Sequence, residues 1–258
     1  MSFINENLIA CSIPVFFGFL VFLFRVFGKT GIYAWLVLEA IAANIEVLIL
    51  VNAFGMEQTL GNVFFASSFL ATDILSEIYG KKEASKAVWV GITSLIIFVC
   101  ISVSWQFFTV SENDFCSKSI REVFAVTPRI MAASLLGYLV SELYDVWVYH
   151  KIWEKSTKST GDKSRYLWLR NNGSTLSSQL INTLIFTFLA FAGTYDFKTL
   201  ISIAISSYVI YVFTSLFDTP FIYLARKLAP KVRDLFLLKN NNAMDQLMVI
   251  RLFHGSIL

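Results

Sequence analysis

Ala87-Val88-Trp89-Val90-Gly91-Ile92-Thr93-Ser94-Leu95-Ile96-Ile97-Phe98-Val99-Cys100-Ile101-Ser102-Val103-Ser104-Trp105-Gln106-Phe107-Phe108 runs without a single charged residue. A helix crosses the hydrocarbon core of a bilayer with about 20 mostly apolar residues, and this stretch meets that length. Comparable uncharged runs lie at Leu8–Phe24, Asn171–Tyr195 and Thr199–Phe217. Gly31–Phe54, Thr59–Gly80 and Val123–Tyr149 are apolar apart from isolated acids or one base. These segments predict an all-α polytopic membrane bundle of seven spans.

Composition agrees. Hydrophobic residues make up 56% of the 258-residue chain and charged residues 15%, with 25 Phe. Such a chain has too little charge to cover a water-soluble surface and too many aromatics for disorder. The net charge of +3 argues for neither a nucleic-acid nor an acidic partner. The first apolar run does not read as a cleaved signal peptide. Glu6 precedes it without a base, and Arg25 and Lys29 follow it.

Basic residues collect on the cytoplasmic side of membrane proteins. Here Arg25 and Lys29, then Lys81, Lys82 and Lys86, then the segment from Lys151 to Arg170, then Arg226 onward hold seventeen of the 21 lysines and arginines. These segments alternate along the chain. The N-terminus is therefore expected outside and the C-terminus in the cytoplasm, and a six-span count breaks the alternation. Trp35, Trp89, Trp147 and Trp153 fall near inner span ends and Trp105 near an outer one, as interfacial rings do. The division expected is a transmembrane domain over 1–229 and a cytoplasmic tail over 230–258. Lys151–Gly173 reads as a long cytoplasmic loop, and the tail's apolar Leu247–Phe253 as disordered or as lying on the membrane surface.

Polar groups at membrane depth are where function is sought, since each costs about 2.5–3.5 kcal/mol at a helix centre. Seven carboxyl groups lie within spans: Glu39, Glu46, Asp73, Glu77, Glu142, Asp145 and Asp218. Arg129 is the one base inside a span. One guanidinium cannot neutralise seven acids. Glu39 and Glu46, seven residues apart on one helix face, and Asp73 lie near span centres and read as functional. Glu142, Asp145 and Asp218 lie near cytoplasmic ends and read as boundary acids.

In span six, Thr175, Gln179 and Asn182 fall at i, i+4 and i+7 on one stripe. Amides suit the edge of a heterocyclic base, and they equally suit interhelical hydrogen bonds. Asn44 and Asn62 extend this amide-rich interior. Pro220 predicts a kink in span seven, and Tyr208 and Tyr211 offer rings either for a planar ligand or, as is commoner, for packing against lipid or core. Soluble-enzyme signatures are missing: no phosphate loop, no dinucleotide fingerprint, no HExxH. Two dispersed histidines and three dispersed cysteines give no metal cage, so neither a metal nor another cofactor is expected.

Leu70-Ala71-Thr72-Asp73-Ile74-Leu75-Ser76-Glu77-Ile78-Tyr79-Gly80-Lys81-Lys82-Glu83-Ala84 resembles the signature of the queuosine precursor transporter family, also called the vitamin uptake transporter family. So does Arg170–Phe186, with supporting matches at Ala43-Asn44-Ile45, Arg129 and Asp218-Thr219-Pro220. The resemblance runs from about residue 30 onward and makes span one an addition to a six-helix core. At Asn182 the family often has Asp.

The resemblance implies an uptake transporter, not an enzyme, in the bacterial inner membrane. Its solute would be a 7-deazaguanine: a cyano- or aminomethyl-bearing queuosine precursor, or queuine. Asn44, Glu46, Asp73, Thr175, Gln179 and Asn182 are the candidate substrate groups. Glu39, Asp73, Glu77 and Arg129 are the candidates for proton coupling or gating, since a carboxyl group in low dielectric can exchange protons. The partners expected are the small solute and the lipid bilayer, with no nucleic acid. Two other readings stand beside it: the substrate-binding subunit of an energy-coupling vitamin transporter, and an intramembrane enzyme using paired acids.

Overall fold

The computed structural model describes residues 2–125 and 128–254, with side chains described up to Arg233 except at residues 2, 57, 125 and 128. Seven long helices occupy the seven segments: α1 (Ser2–Phe27), α2 (Lys29–Glu46), α3 (Gly61–Tyr79), α4 (Lys81–Ser104), α6 (Pro128–Thr160), α7 (Leu167–Phe191) and α8 (Phe197–His254). A short helix, α5 (Ser117–Ala125), precedes α6, and a hairpin of β1 (Leu50–Ala53) and β2 (Met56–Thr59) joins α2 to α3.

The side chains are arranged inside out relative to a soluble protein. Glu39, Asp73, Glu142, Asp145, Arg170, Gln179 and Asp218 are buried, while Phe19, Phe22, Ile97, Phe213, Leu216 and Phe217 are exposed. That is the partition a hydrocarbon solvent imposes, because lipid cannot satisfy a polar side chain. By length and apolarity alone α1, α4, α7 and α8 qualify as spans, and a fifth is added if α5 and α6, bent by 56°, form one broken span. This is fewer than the seven read from the sequence. The shortfall falls on α2 and α3, which have 18 and 19 residues and carry internal acids. α2 faces Glu39 and α3 faces Asp73 into the bundle, so their mean apolarity says little about their surroundings.

α3 is the central helix, packing on α1, α2, α4, α6, α7 and α8. It is buried along nearly its whole length from Gly61 to Ser76. α2 and α3 approach closely at Gly61, where an added Cβ would lie 2.7 Å from the Ala43 carbonyl oxygen and 2.9 Å from the Val47 nitrogen. Trp35, expected at the interface, is buried instead and donates from Nε1 to Ser67 Oγ at 2.8 Å. α1 lays Ile9, Ile13, Phe17, Leu20 and Phe24 against the bundle, with Phe17 edge-on to Phe221 at 5.5 Å.

Several boundaries differ from the sequence reading. Span two ends as helix at Glu46, and its remaining residues form β1, paired Leu50↔Thr59 to Ala53↔Met56 across the positive-φ turn Phe54-Gly55. Two consecutive positive φ values fit a type I′ hairpin, whose twist matches the strands. Asn5 and Glu6 of α1 fasten this hairpin through Asn52 O and the Phe54 amide, each at 3.0 Å. The expected loop Lys151–Gly173 is largely helix, since α6 continues to Thr160 and α7 begins at Leu167. α8 runs unbroken through Pro220 and on to His254, where disorder was expected.

The Gly61 contact is testable. Gly61→Val forces a branched side chain into the α2–α3 backbone contact, and overpacking of that kind costs about 1–3 kcal/mol. Its thermal midpoint in detergent should fall clearly below wild type, while Gly18→Ala, with nothing within 4 Å of the added Cβ, should melt as wild type.

Candidate functional site

The buried polar side chains form a column along the bundle axis, contributed by α2, α3, α6, α7 and α8. At the end where the basic segments gather, Arg170 of α7 is wholly buried. Its Nη2 donates to Glu77 Oε2 and Oε1 at 2.7 and 2.8 Å, and its Nε donates to Oε2 at 3.0 Å. Tyr149 of α6 donates to the same Oε2 at 2.7 Å. The guanidinium also donates to Arg165 O at 2.7 Å and lies 4.4 Å from the centre of the Trp153 ring. Arg226 of α8 approaches Glu77 Oε1 at 3.5 Å from a one-third exposed position. A forked, multiply bonded pair of this kind is the geometry that tolerates burial.

The next layer holds three aspartates. Thr175 Oγ1 donates to Asp73 Oδ2 at 3.5 Å, Ser178 Oγ to Asp145 Oδ1 at 2.9 Å, and Asn171 Nδ2 to Asp218 Oδ1 at 2.5 Å. The Asp145 carboxyl group faces that of Asp73, and Asp73 Oδ1 and Asp145 Oδ2 are both buried without a hydrogen-bond partner. One turn from Asp145 along α6, Glu142 accepts from Ser68 at 2.5 Å and Thr72 at 3.0 Å.

Further along, partners run out. Both Glu39 oxygens, both Gln179 amide atoms, the Tyr138 hydroxyl and the Thr183 hydroxyl are buried without a hydrogen bond. Beyond them lies a cavity of about 30 Å³ lined by Ala43, Asn62, Phe65, Ser134, Asn182 and Tyr211, among others. Tyr211 donates to Asn62 Oδ1 at 3.0 Å. The Phe65 ring stands 6.0 Å from that of Tyr138 and 6.3 Å from that of Tyr211.

Most residues singled out in the sequence meet in this column: Glu39, Asp73, Glu77, Thr175, Gln179 and Asn182. Asn44 is buried but donates to its own helix at Ala40 O. Glu46 is the last residue of α2 and half-buried, because the span it was centred in ends there as helix. Arg129 does not face the acids. It is exposed at the opposite end and donates to Leu189 O and Ala192 O at the C-terminus of α7, where a cation complements the helix dipole. Tyr208 donates to Leu176 O at 3.3 Å.

The sequence reading missed Arg170, placed in a loop, and set aside Glu142, Asp145 and Asp218, which are fully buried. The spacing held the signal. Arg170, Ser174 and Ser178 recur every fourth residue on α7, and Glu142, Asp145 and Tyr149 share one face of α6. Among the described residues no three His, Cys, Asp or Glu side chains are grouped to hold a metal ion.

The family model described as "Putative vitamin uptake transporter" matches residues 59–225. A Bacillus subtilis protein named "Probable queuosine precursor transporter" is 37% identical over 85% of this chain and 96% of its own length. The "Queuosine precursor transporter" of Escherichia coli is 30% identical over 65% of this chain and 73% of its own. No solved structure matches. The matched region spans α3 through the first half of α8 and so contains Asp73, Glu77, Glu142, Asp145, Arg170, Gln179 and Asp218. The chain belongs to the vitamin uptake transporter family.

Proposed function

We propose that this protein imports queuosine precursors across the bacterial inner membrane by proton-coupled secondary transport. The solute is a 7-deazaguanine base bearing a cyano or aminomethyl group, or queuine. The N-terminus lies outside and the tail over 230–258 in the cytoplasm, the orientation favoured by the basic segments. The observation that carries the reading is the polar column, in which Glu39, Asp73 and Gln179 keep buried atoms without ordinary partners. Buried polar groups are normally paired, so a run of unpaired ones along a transporter's axis fits a path for a polar, planar solute. The relatives' names point to the same solute class.

The column divides by chemistry. Amides and aromatic rings dominate toward the hairpin end, where faces of a heterocycle can stack and its edge can be read. Toward the cytoplasmic end the Asp73–Asp145 pair holds a proton, and Arg170–Glu77 closes the route with a buried ion pair. The cavity's volume of about 30 Å³ matches one water's share of liquid. Admitting a base therefore requires the helices around it to separate, as alternating access does. Opening inward requires Glu77 to leave Arg170, and the nearby Arg226 offers it a second, more exposed cation.

Cells unable to make queuosine, expressing this chain, should regain the modified nucleoside in tRNA when supplied with low external precursor. Unmodified tRNA despite membrane expression rejects the reading. For one proton per neutral solute, a one-unit pH difference supports about tenfold accumulation. Asp73→Asn should abolish that accumulation in vesicles while preserving exchange of internal for external precursor. Accumulation at the wild-type level would remove Asp73 from coupling. Gln179→Ala should weaken precursor binding about two- to tenfold, the value of one hydrogen bond, measured by calorimetry on purified protein.

A further inference from the structure

Glu39 lies in the middle of α2 with its side chain fully buried, and neither carboxylate oxygen has a hydrogen-bond partner. Its charged neighbours offer no neutralisation: Glu142 faces it from α6 and Glu46 lies along its own helix. The other titratable groups facing it are hydroxyls, Tyr138 of α6 and Tyr211 of α8. An unpartnered carboxyl group at such a position is costly to bury. It differs from Asp73, Asp145, Glu142 and Asp218, each of which accepts from at least one Ser, Thr or Asn.

The surroundings define what could meet it. Ala43, one turn further along the same face of α2, lines the small cavity, and so does Tyr211. Phe65, Tyr138 and Tyr211 form an aromatic wall. Gln179, with both amide atoms unpartnered, supplies a donor for a carbonyl. A carboxylate presents two acceptor oxygens side by side, which match two adjacent N–H donors pointing the same way. In a guanine-type ring those donors are the ring N–H and the exocyclic 2-amino group.

We propose that Glu39 is the specificity-determining residue that reads the paired N–H edge of the solute, so that transport requires the 2-amino group. This rests on the reading of the solute as a deazaguanine and assigns its recognition to one side chain. Glu39 is then a recognition group, separate from the Asp73–Asp145 pair that carries the proton.

The test is calorimetric binding to purified full-length protein of 7-cyano-7-deazaguanine and of its analogue lacking the 2-amino group. A hydrogen bond to a charged group is worth about 1.5–3 kcal/mol, or roughly 10- to 150-fold. Wild type should prefer the amino-bearing compound by a factor in that range. Glu39→Gln should lose most of that preference by binding the amino-bearing compound more weakly, with the analogue little changed. Glu39→Asp, which keeps both oxygens but draws them back, should bind more weakly while retaining a preference, and it serves as the readout if Glu39→Gln does not fold. Equal binding of both compounds by wild type, or an unchanged ratio in Glu39→Gln, overturns the role of Glu39 alone. Wild type binding neither compound overturns the deazaguanine reading and this assignment together.

Discussion

The ion pair between Arg170 and Glu77 is the contact on which the basic end of the bundle depends. It joins α3 to α7 directly, draws in α6 through the Tyr149 hydroxyl and reaches α8 through Arg226. Removing either partner of such a pair strands a buried charge, a loss of about 3–5 kcal/mol, whereas the intact pair adds little net stability over apolar packing. A contact with that asymmetry specifies an arrangement more than it stabilises one. It holds four helices in one register, and a second cation, Arg226, already stands 3.5 Å from the same carboxylate.

Behind that closure, the column's side chains differ in how far they are satisfied. Arg170 and Glu77 are saturated with partners, the aspartates and Glu142 are held by hydroxyls and an amide, and Glu39 and Gln179 have none. A protein that only needed to fold would gain by pairing or removing the last two. Unpaired polar groups are costly in a low-dielectric interior, and on the proposed function these two are left for the solute. The lipid-facing surface, built of Phe, Leu and Ile, leaves these groups nowhere to turn but inward.

Much of this was legible before any coordinates. Span positions follow from the length of apolar runs, and the acids at Glu39 and Asp73 stand out because depth makes them expensive. What failed did so for identifiable reasons. The run Val47–Val51 is equally apolar as helix or strand, and the positive-φ pair Phe54-Gly55 decides for a hairpin. Lys151–Thr160 is basic, which fixes its side of the membrane but not its conformation, and α6 simply continues through it. The start of α7 at Leu167 carries Arg170 from loop to core. Glu142, Asp145 and Asp218 were judged by distance from a span end, yet solvent access is set by which helices lie alongside.

Asn182 sharpens the division between recognition and coupling. At this position the family often carries Asp, so a neutral amide looks like a lost charge. In the fold Asn182 lines the small cavity near the hairpin end, pressed against Gly137, where an added Cβ would lie 2.7 Å from its Oδ1. The facing carboxyl groups of Asp73 and Asp145, the pair proposed to carry the proton, do not line that cavity. An amide there still offers both a donor and an acceptor to a heterocycle. On the proposed mechanism, exchanging Asp for Asn at this site alters how the ring is read and leaves the coupling proton where it was.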